Sequence, residues 1–131
     1  TMSDAQGTVG IVVGHGGLSQ GLIDAVRRIA GDAADCLTPL SNEDKGPDEL
    51  RAELDRIVGD QKAVVFVDLR SGSCGMAAQA CCRDSLVRVV VCGVNLPMLL
   101  DFVFSREVPL EELAPHLAET GRNAIASITG A

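Results

Sequence analysis

The stretch IVVGHGGLSQG, residues 11–21, sets one histidine between glycines at the end of an apolar run. Glycine on both sides strips away bulk, so His15 is expected to be open to a partner. Neutral imidazole is a competent nucleophile near neutral pH and can carry a covalent intermediate. It needs one ring nitrogen free and the other tied down. A carboxylate accepting from Nδ1–H does this, and it stabilises the cation formed when Nε2 attacks. Asp68, the acid that ends AVVFVD, is the expected orienter. RSGSCG follows as a loop leading into a helix, whose first amides and dipole suit a phosphate group. Gly72 and Ser73 are the candidate phosphoryl-binding residues, with the Ser73 hydroxyl donating to a phosphoryl oxygen. Ser73 also reads as an ordinary N-cap worth about 1 kcal/mol. Histidine, aspartate and an anion-binding turn describe phosphoryl transfer better than acyl transfer. No positioned metal site is evident, and no cofactor is implied.

Other reagents fit less well. A Walker phosphate loop needs Gly-Lys-Ser/Thr, and that triplet does not occur. The dinucleotide fingerprint is met at Gly14 and Gly16 but fails at Ser19. Cys74, at a helix start, has the setting of a nucleophile with a lowered pKa. A C-x5-R phosphatase would need arginine where Ala80 stands, so Cys74 is read as a packed bystander. His116, beside a helix stripe in ELAPHLAE, is read as solvent-facing.

These residues need elements to position them. Thr8 to Val13 is expected to be a buried strand, followed by a helix with Leu22, Ile23, Val26, Ile29 and Ala30 on its face and Gly31 as its stop. A second strand is expected near Asp35 to Leu40, and a polar loop at SNEDKG. Pro47, Asp48 and Glu49 suit a first helical turn, with Leu50, Leu54, Ile57 and Val58 as the buried stripe. AVVFVD and VRVVVCG are further strands, and a helix carrying Met76, Ala77, Ala80 and Cys81 lies between them. Another helix starts at about Pro97, and Leu110, Leu113 and Leu117 mark one more.

Strands apolar throughout, alternating with amphipathic helices, imply an α/β fold with a doubly wound, mainly parallel four-stranded sheet covered on both faces. The order 2-1-3-4 opens a crevice at the carboxyl ends of strands one and three. That topology makes neighbours of His15 and Asp68, which favours chemistry over a mere turn histidine and a capping acid. The tail AIASITGA leaves room for an added C-terminal edge strand.

The 131 residues fit a single domain, with residues 1–7 expected to be flexible. A net charge of -7 and the absence of Trp and Tyr disfavour nucleic-acid binding, which needs cations and stacking rings. No apolar stretch approaches the roughly 20 residues that span a bilayer. TMSDAQGTVG lacks the basic and apolar regions of a secretory leader, so a cytoplasmic protein is expected. Five cysteines, odd in number and without a zinc-like double pair, are expected to be small buried thiols in a reducing compartment.

With these residues in view, IVVGHGGLSQGLIDAV, VVFVDLRSGSCGMAA and VCGVNLPMLLDFVF resemble, in order and spacing, three signature regions of the mannose-class EIIA domains. Those domains belong to the bacterial phosphoenolpyruvate:sugar phosphotransferase system. The resemblance implies a phosphohistidine carrier that accepts a phosphoryl group from the carrier protein HPr on His15. It implies that Asp68 orients His15, that Ser73 helps hold the phosphoryl group, and that the group passes on to a separate IIB component. A homodimer is also implied. Leu18, Arg70, Asn95, Pro97 and Met98 are the candidate partner-docking residues, although Asn95 to Met98 also read as a strand-end turn and helix start. Ser71-Gly72-Ser73-Cys74-Gly75-Met76 departs from the family's Gly-Gly-Ser-Pro-Phe/Thr-Asn, and Arg70 adds a charge. The serine is kept, but the surface that would meet IIB is altered. This leaves a second reading, a regulatory module whose His15 phosphorylation signals phosphotransferase status without sugar transport.

Overall fold

Strands without a polar face must be covered on both sides, and the chain supplies a helix after each of them. The computed structural model describes residues 7–130. In chain order it contains β1 (Val9–Gly14), α1 (Leu18–Ala30), a 3-10 turn (Gly31–Cys36), β2 (Leu37–Ser41) and α2 (Pro47–Val58). Then follow β3 (Ala63–Val67), α3 (Gly72–Cys82), β4 (Arg88–Cys92), α4 (Leu96–Val103) and α5 (Leu110–Asn123). All strand pairs are parallel, in the order β2-β1-β3-β4. Val13 pairs with Leu40 on one side and Val67 on the other, so the three strands end level with one another.

The two-residue period of a strand divides the core. Ile11 and Val13 of β1, with Ala63, Val65 and Val67 of β3, face Leu50, Leu54 and Val58 of α2 and Ala77 and Ala78 of α3. Val12, Val64 and Phe66 face the other way, onto Ile23 and Val26 of α1, Phe102 of α4, and Leu113 and Leu117 of α5. Phe66 and Phe102 meet edge to face with centroids 5.2 Å apart, the arrangement favoured by the ring quadrupole.

Several local expectations change. The buried stripe of α1 runs through Ser19, Ile23 and Val26, so Ile29 falls on the flank and is exposed. Met76 also faces outward, because Cys74, Ala77, Ala78 and Cys81 form the buried face of α3. No C-terminal edge strand forms in residues 125–130, where Ile125 and Ile128 are exposed. The amides of Ala124 and Ile125 bond back to the carbonyls of Thr120 and Arg122, closing α5 with a turn instead of entering the sheet. Of the start expected to be flexible, only Gly7 lies among the described residues.

Candidate active site

β1 and β3 deliver His15 and Asp68 side by side at the carboxyl edge of the sheet. Asp68 N–H donates to the Val13 carbonyl at 3.3 Å, so the chain leaves β3 beside the turn that follows β1. Asp68 Oδ2 accepts twice from His15, from the backbone N–H at 2.9 Å and from the ring Nδ1 at 2.8 Å. Its Oδ1 accepts from the Leu69 amide at 2.9 Å. Burial alone pushes the Asp68 carboxyl up, but the backbone and ring hydrogen bonds of His15, its charge and the Leu69 amide together hold it below the ordinary carboxylate value. The carboxylate is therefore ionised at neutral pH and can only accept. That places a hydrogen on Nδ1 and leaves Nε2, which no described residue bonds, as the nitrogen that can attack from the neutral ring. The His15 side chain is 44% exposed and that of Asp68 9%, so a fixed acid supports an open base.

The turn Gly14-His15-Gly16-Gly17 is fastened from the neighbouring strand. Gly16 has a φ of +57°, in the left-handed region open to glycine at little cost. Ser41 Oγ donates to the Gly16 carbonyl at 2.8 Å, and the Asn42 amide donates to the Gly14 carbonyl at 3.1 Å. Asn42 Oδ1 accepts from Gly16 N–H at 3.3 Å, while its Nδ2 donates to Ser73 Oγ at 3.4 Å. Asn42 was no part of the sequence-derived site. Its signal lay in SNEDKG, the loop after strand two, which the 2-1-3-4 order sets beside the His15 turn.

α3 begins two residues earlier than a Ser73 cap requires. Ser71 holds the N-cap position with no side-chain cap bond, and Ser73 lies inside the first turn. Its hydroxyl is thus free of capping duty. Cys74 is fully buried, with Sγ 3.7 Å from His15 Nδ1, so it packs against the candidate nucleophile on the nitrogen that faces Asp68. Burial and the Asp68 charge push its thiol up, against a smaller opposing hydrogen bond from Ser73, so no activated thiolate forms. His15, Asp68 and Cys74 offer ligand atoms within 4.8 Å of one another, a set that could hold a metal ion. The His15 Nδ1 hydrogen bond to Asp68 engages two of those atoms with each other.

Gly75 explains one departure in this loop. A Cβ there would lie 2.1 Å from the Arg70 carbonyl oxygen, so the backbone of residues 69 and 70 folds flat onto the helix start. The candidate docking residues divide. Leu18, Arg70 and Pro97 are exposed. Asn95 caps α4, accepting from the Met98 amide at 3.1 Å, and donates to the Gly121 carbonyl at 3.0 Å. Met98 is 2% exposed beneath α5 and presents no docking surface, contrary to expectation. The reason is register, since the cap turns residue 98 inward toward Gly121. His116 is half exposed as expected, but it is also tied by Nε2 to Asp101 Oδ2 at 2.7 Å.

The family model described as PTS system fructose IIA component, EIIA-man, matches residues 10–118. The chain belongs to that family. This IIA chain is 26% identical, over 128 residues, to the mannose-specific EIIAB component of Escherichia coli K12. The match covers 92% of the chain but only 40% of that relative's length. Among solved structures, the mannose/sorbose specific IIA subunit from Enterococcus faecalis superposes with a TM-score of 0.83 at 26% identity, over 94% of this chain and 96% of that one. The EIIA component from Streptococcus agalactiae has the same fold, with a TM-score of 0.84 at 24% identity over 92% and 96% of the two chains. No helix among the described residues of the IIA chain is long and apolar enough to cross a membrane.

Proposed function

We propose that this IIA chain is a cytoplasmic phosphohistidine carrier that takes a phosphoryl group from HPr onto His15 Nε2 and passes it to a IIB component. The observation that carries the reading is the 2.8 Å bond from His15 Nδ1 to an ionised Asp68, which leaves Nε2 outward as the nucleophile. In the step, the Nε2 lone pair attacks phosphorus in line as the donor's phosphorus–nitrogen bond breaks. The donor imidazole leaves with that electron pair. The Nδ1 hydrogen stays in place, and Asp68 balances the positive charge that grows on the ring. Such chemistry asks chiefly for positioning and charge stabilisation.

Gly72 and Ser73, at the first turn of α3, are proposed to hold the phosphoryl oxygens. Leu18, Leu69 and Met76 are exposed apolar residues on the elements that carry the site, and Arg70 adds a cation, a combination that suits a protein partner. Exposed Leu86, Ile125 and Ile128 support self-association, in keeping with a homodimer. Incubation with phosphoenolpyruvate, enzyme I and HPr is expected to label the wild type and to leave His15→Ala unlabelled. Equal labelling of that variant would sink the assignment.

A further inference from the structure

Ser73 enters the site with a hydroxyl that caps nothing and whose partner within its own helix is the neighbouring Cys74 thiol, a weak acceptor that a phosphoryl oxygen outcompetes. A hydroxyl that also accepts from a neighbour has its single hydrogen released for another acceptor. Asn42 supplies that neighbour. The Gly16 N–H can only donate, so it selects the amide oxygen of Asn42 and turns the Nδ2 hydrogens the other way, toward Ser73 Oγ. Both contacts are long, at 3.3 and 3.4 Å, as is common for catalytic hydrogen bonds before a substrate is bound. The backbone of Asn42 is itself secured to the Gly14 carbonyl, and the adjoining Ser41 hydroxyl holds the Gly16 carbonyl. Asn42 therefore stands on a fixed base, with one end of its amide on the nucleophile's turn and the other on the phosphate-binding turn.

We propose that Asn42 is a positioning residue for the phosphoryl group, acting through Ser73. Its Nδ2 donates to the serine oxygen, which points the serine hydrogen at a phosphoryl oxygen on His15. Its Oδ1 keeps the His15 turn in register with that hydroxyl. This assignment rests on phosphorylation of His15 and names the residue that aligns the two turns for it. It also explains how a serine inside a helix, with no proline after it, keeps a defined hydroxyl direction. A carboxylate at position 42 would preserve the acceptor for Gly16 but reverse the polarity toward Ser73. The serine hydrogen would then be drawn to the carboxylate and away from the phosphoryl group.

The test uses phosphoramidate as donor, so that no docking protein is involved. Its phosphorus–nitrogen bond breaks, ammonia leaves, and the new bond forms on His15. Phosphohistidine formation and hydrolysis are followed by phosphorus-31 NMR for wild type, Asn42→Asp, Asn42→Ala, Ser73→Ala and the double variants, with His15→Ala as the blank. Asn42→Asp is expected to slow formation about tenfold, the scale of one hydrogen bond to a charged group. The same change in a Ser73→Ala background is expected to cost no more than about twofold, because the two residues act as one unit. Asn42→Ala, which adds no charge, is expected to show the same dependence on Ser73. Circular dichroism is expected to show each variant folded. An undiminished rate in Asn42→Asp, or equal losses with and without the serine hydroxyl, overturns the positioning role while leaving phosphorylation of His15 intact. Failure of wild type to form phosphohistidine overturns the carrier reading and this one with it.

Discussion

Replacing Asp68 by asparagine tests the mechanism at its central bond. The carboxylate accepts three hydrogen bonds, two on Oδ2 from His15 and one on Oδ1 from Leu69. An amide has one oxygen, so one end of Asp68→Asn must present hydrogens to donors. If the oxygen serves Leu69, the amide nitrogen faces the ring, and His15 can satisfy it only by moving its own hydrogen to Nε2. The attacking lone pair is then lost. If the oxygen serves His15, the Leu69 amide loses its partner and the ring loses the countercharge for the phosphorylated state. Losing one hydrogen bond to a charged group costs about 1.5–3 kcal/mol, which corresponds to a rate loss of about 10- to 150-fold. The assay is the initial rate of labelling from phosphoenolpyruvate through enzyme I and HPr, with long-range nitrogen-15 spectra reporting the His15 tautomer. A wild-type rate in a variant of unchanged fold would refute the orienting role. The same substitution alters acid stability. The Asp68 carboxyl is held below its ordinary value, so its contribution is complete above the ordinary carboxylate range and is lost as pH falls through the lowered value. Asp68→Asn cannot titrate there, so its unfolding free energy is expected to fall less steeply from about pH 5 to pH 2.

Two further substitutions probe the frame around the site. Gly75→Ala puts a methyl against the Arg70 carbonyl, and the expected destabilisation is about 1–3 kcal/mol, read as a lowered thermal midpoint together with slower labelling as the loop beside Asp68 shifts. A wild-type midpoint would show that the loop is not locked by this contact. Asn95→Ala removes the α4 cap and the bond to Gly121, and about 1–2 kcal/mol is expected as a lower urea midpoint at constant m-value. A change in labelling larger than the stability loss explains would instead place Asn95 at the partner surface.

Much of the site was legible because its strands announce themselves locally. AVVFV is short, rich in β-branched valine and apolar at every position, which suits a strand buried on both faces, and the helix stripes repeat at three or four residues. Right-handed connections then bring the end of β1 beside the end of β3, which is why His15 and Asp68 could be paired from far apart in the chain. Less local features were not legible. Asn42 sits in a polar loop whose composition states only that it turns. Cys74 read as a packed thiol and is one, yet what it packs against is the His15 ring. Asp101 and His116 pair across two helices whose relative roll no periodicity encodes.

By itself, then, the sequence determined the layers, the strand order and the two residues at the switch point, because burial pattern and chain handedness are properties of the sequence and short connections. Only the tertiary structure decided that Asn42 joins the His15 and Ser73 turns, that Met98 lies inside, and that Gly75 must lack a side chain. Those outcomes depend on loop paths and helix rotations of an ångström or so. Hydrophobic periodicity leaves such displacements open, and close packing with complete hydrogen bonding selects among them.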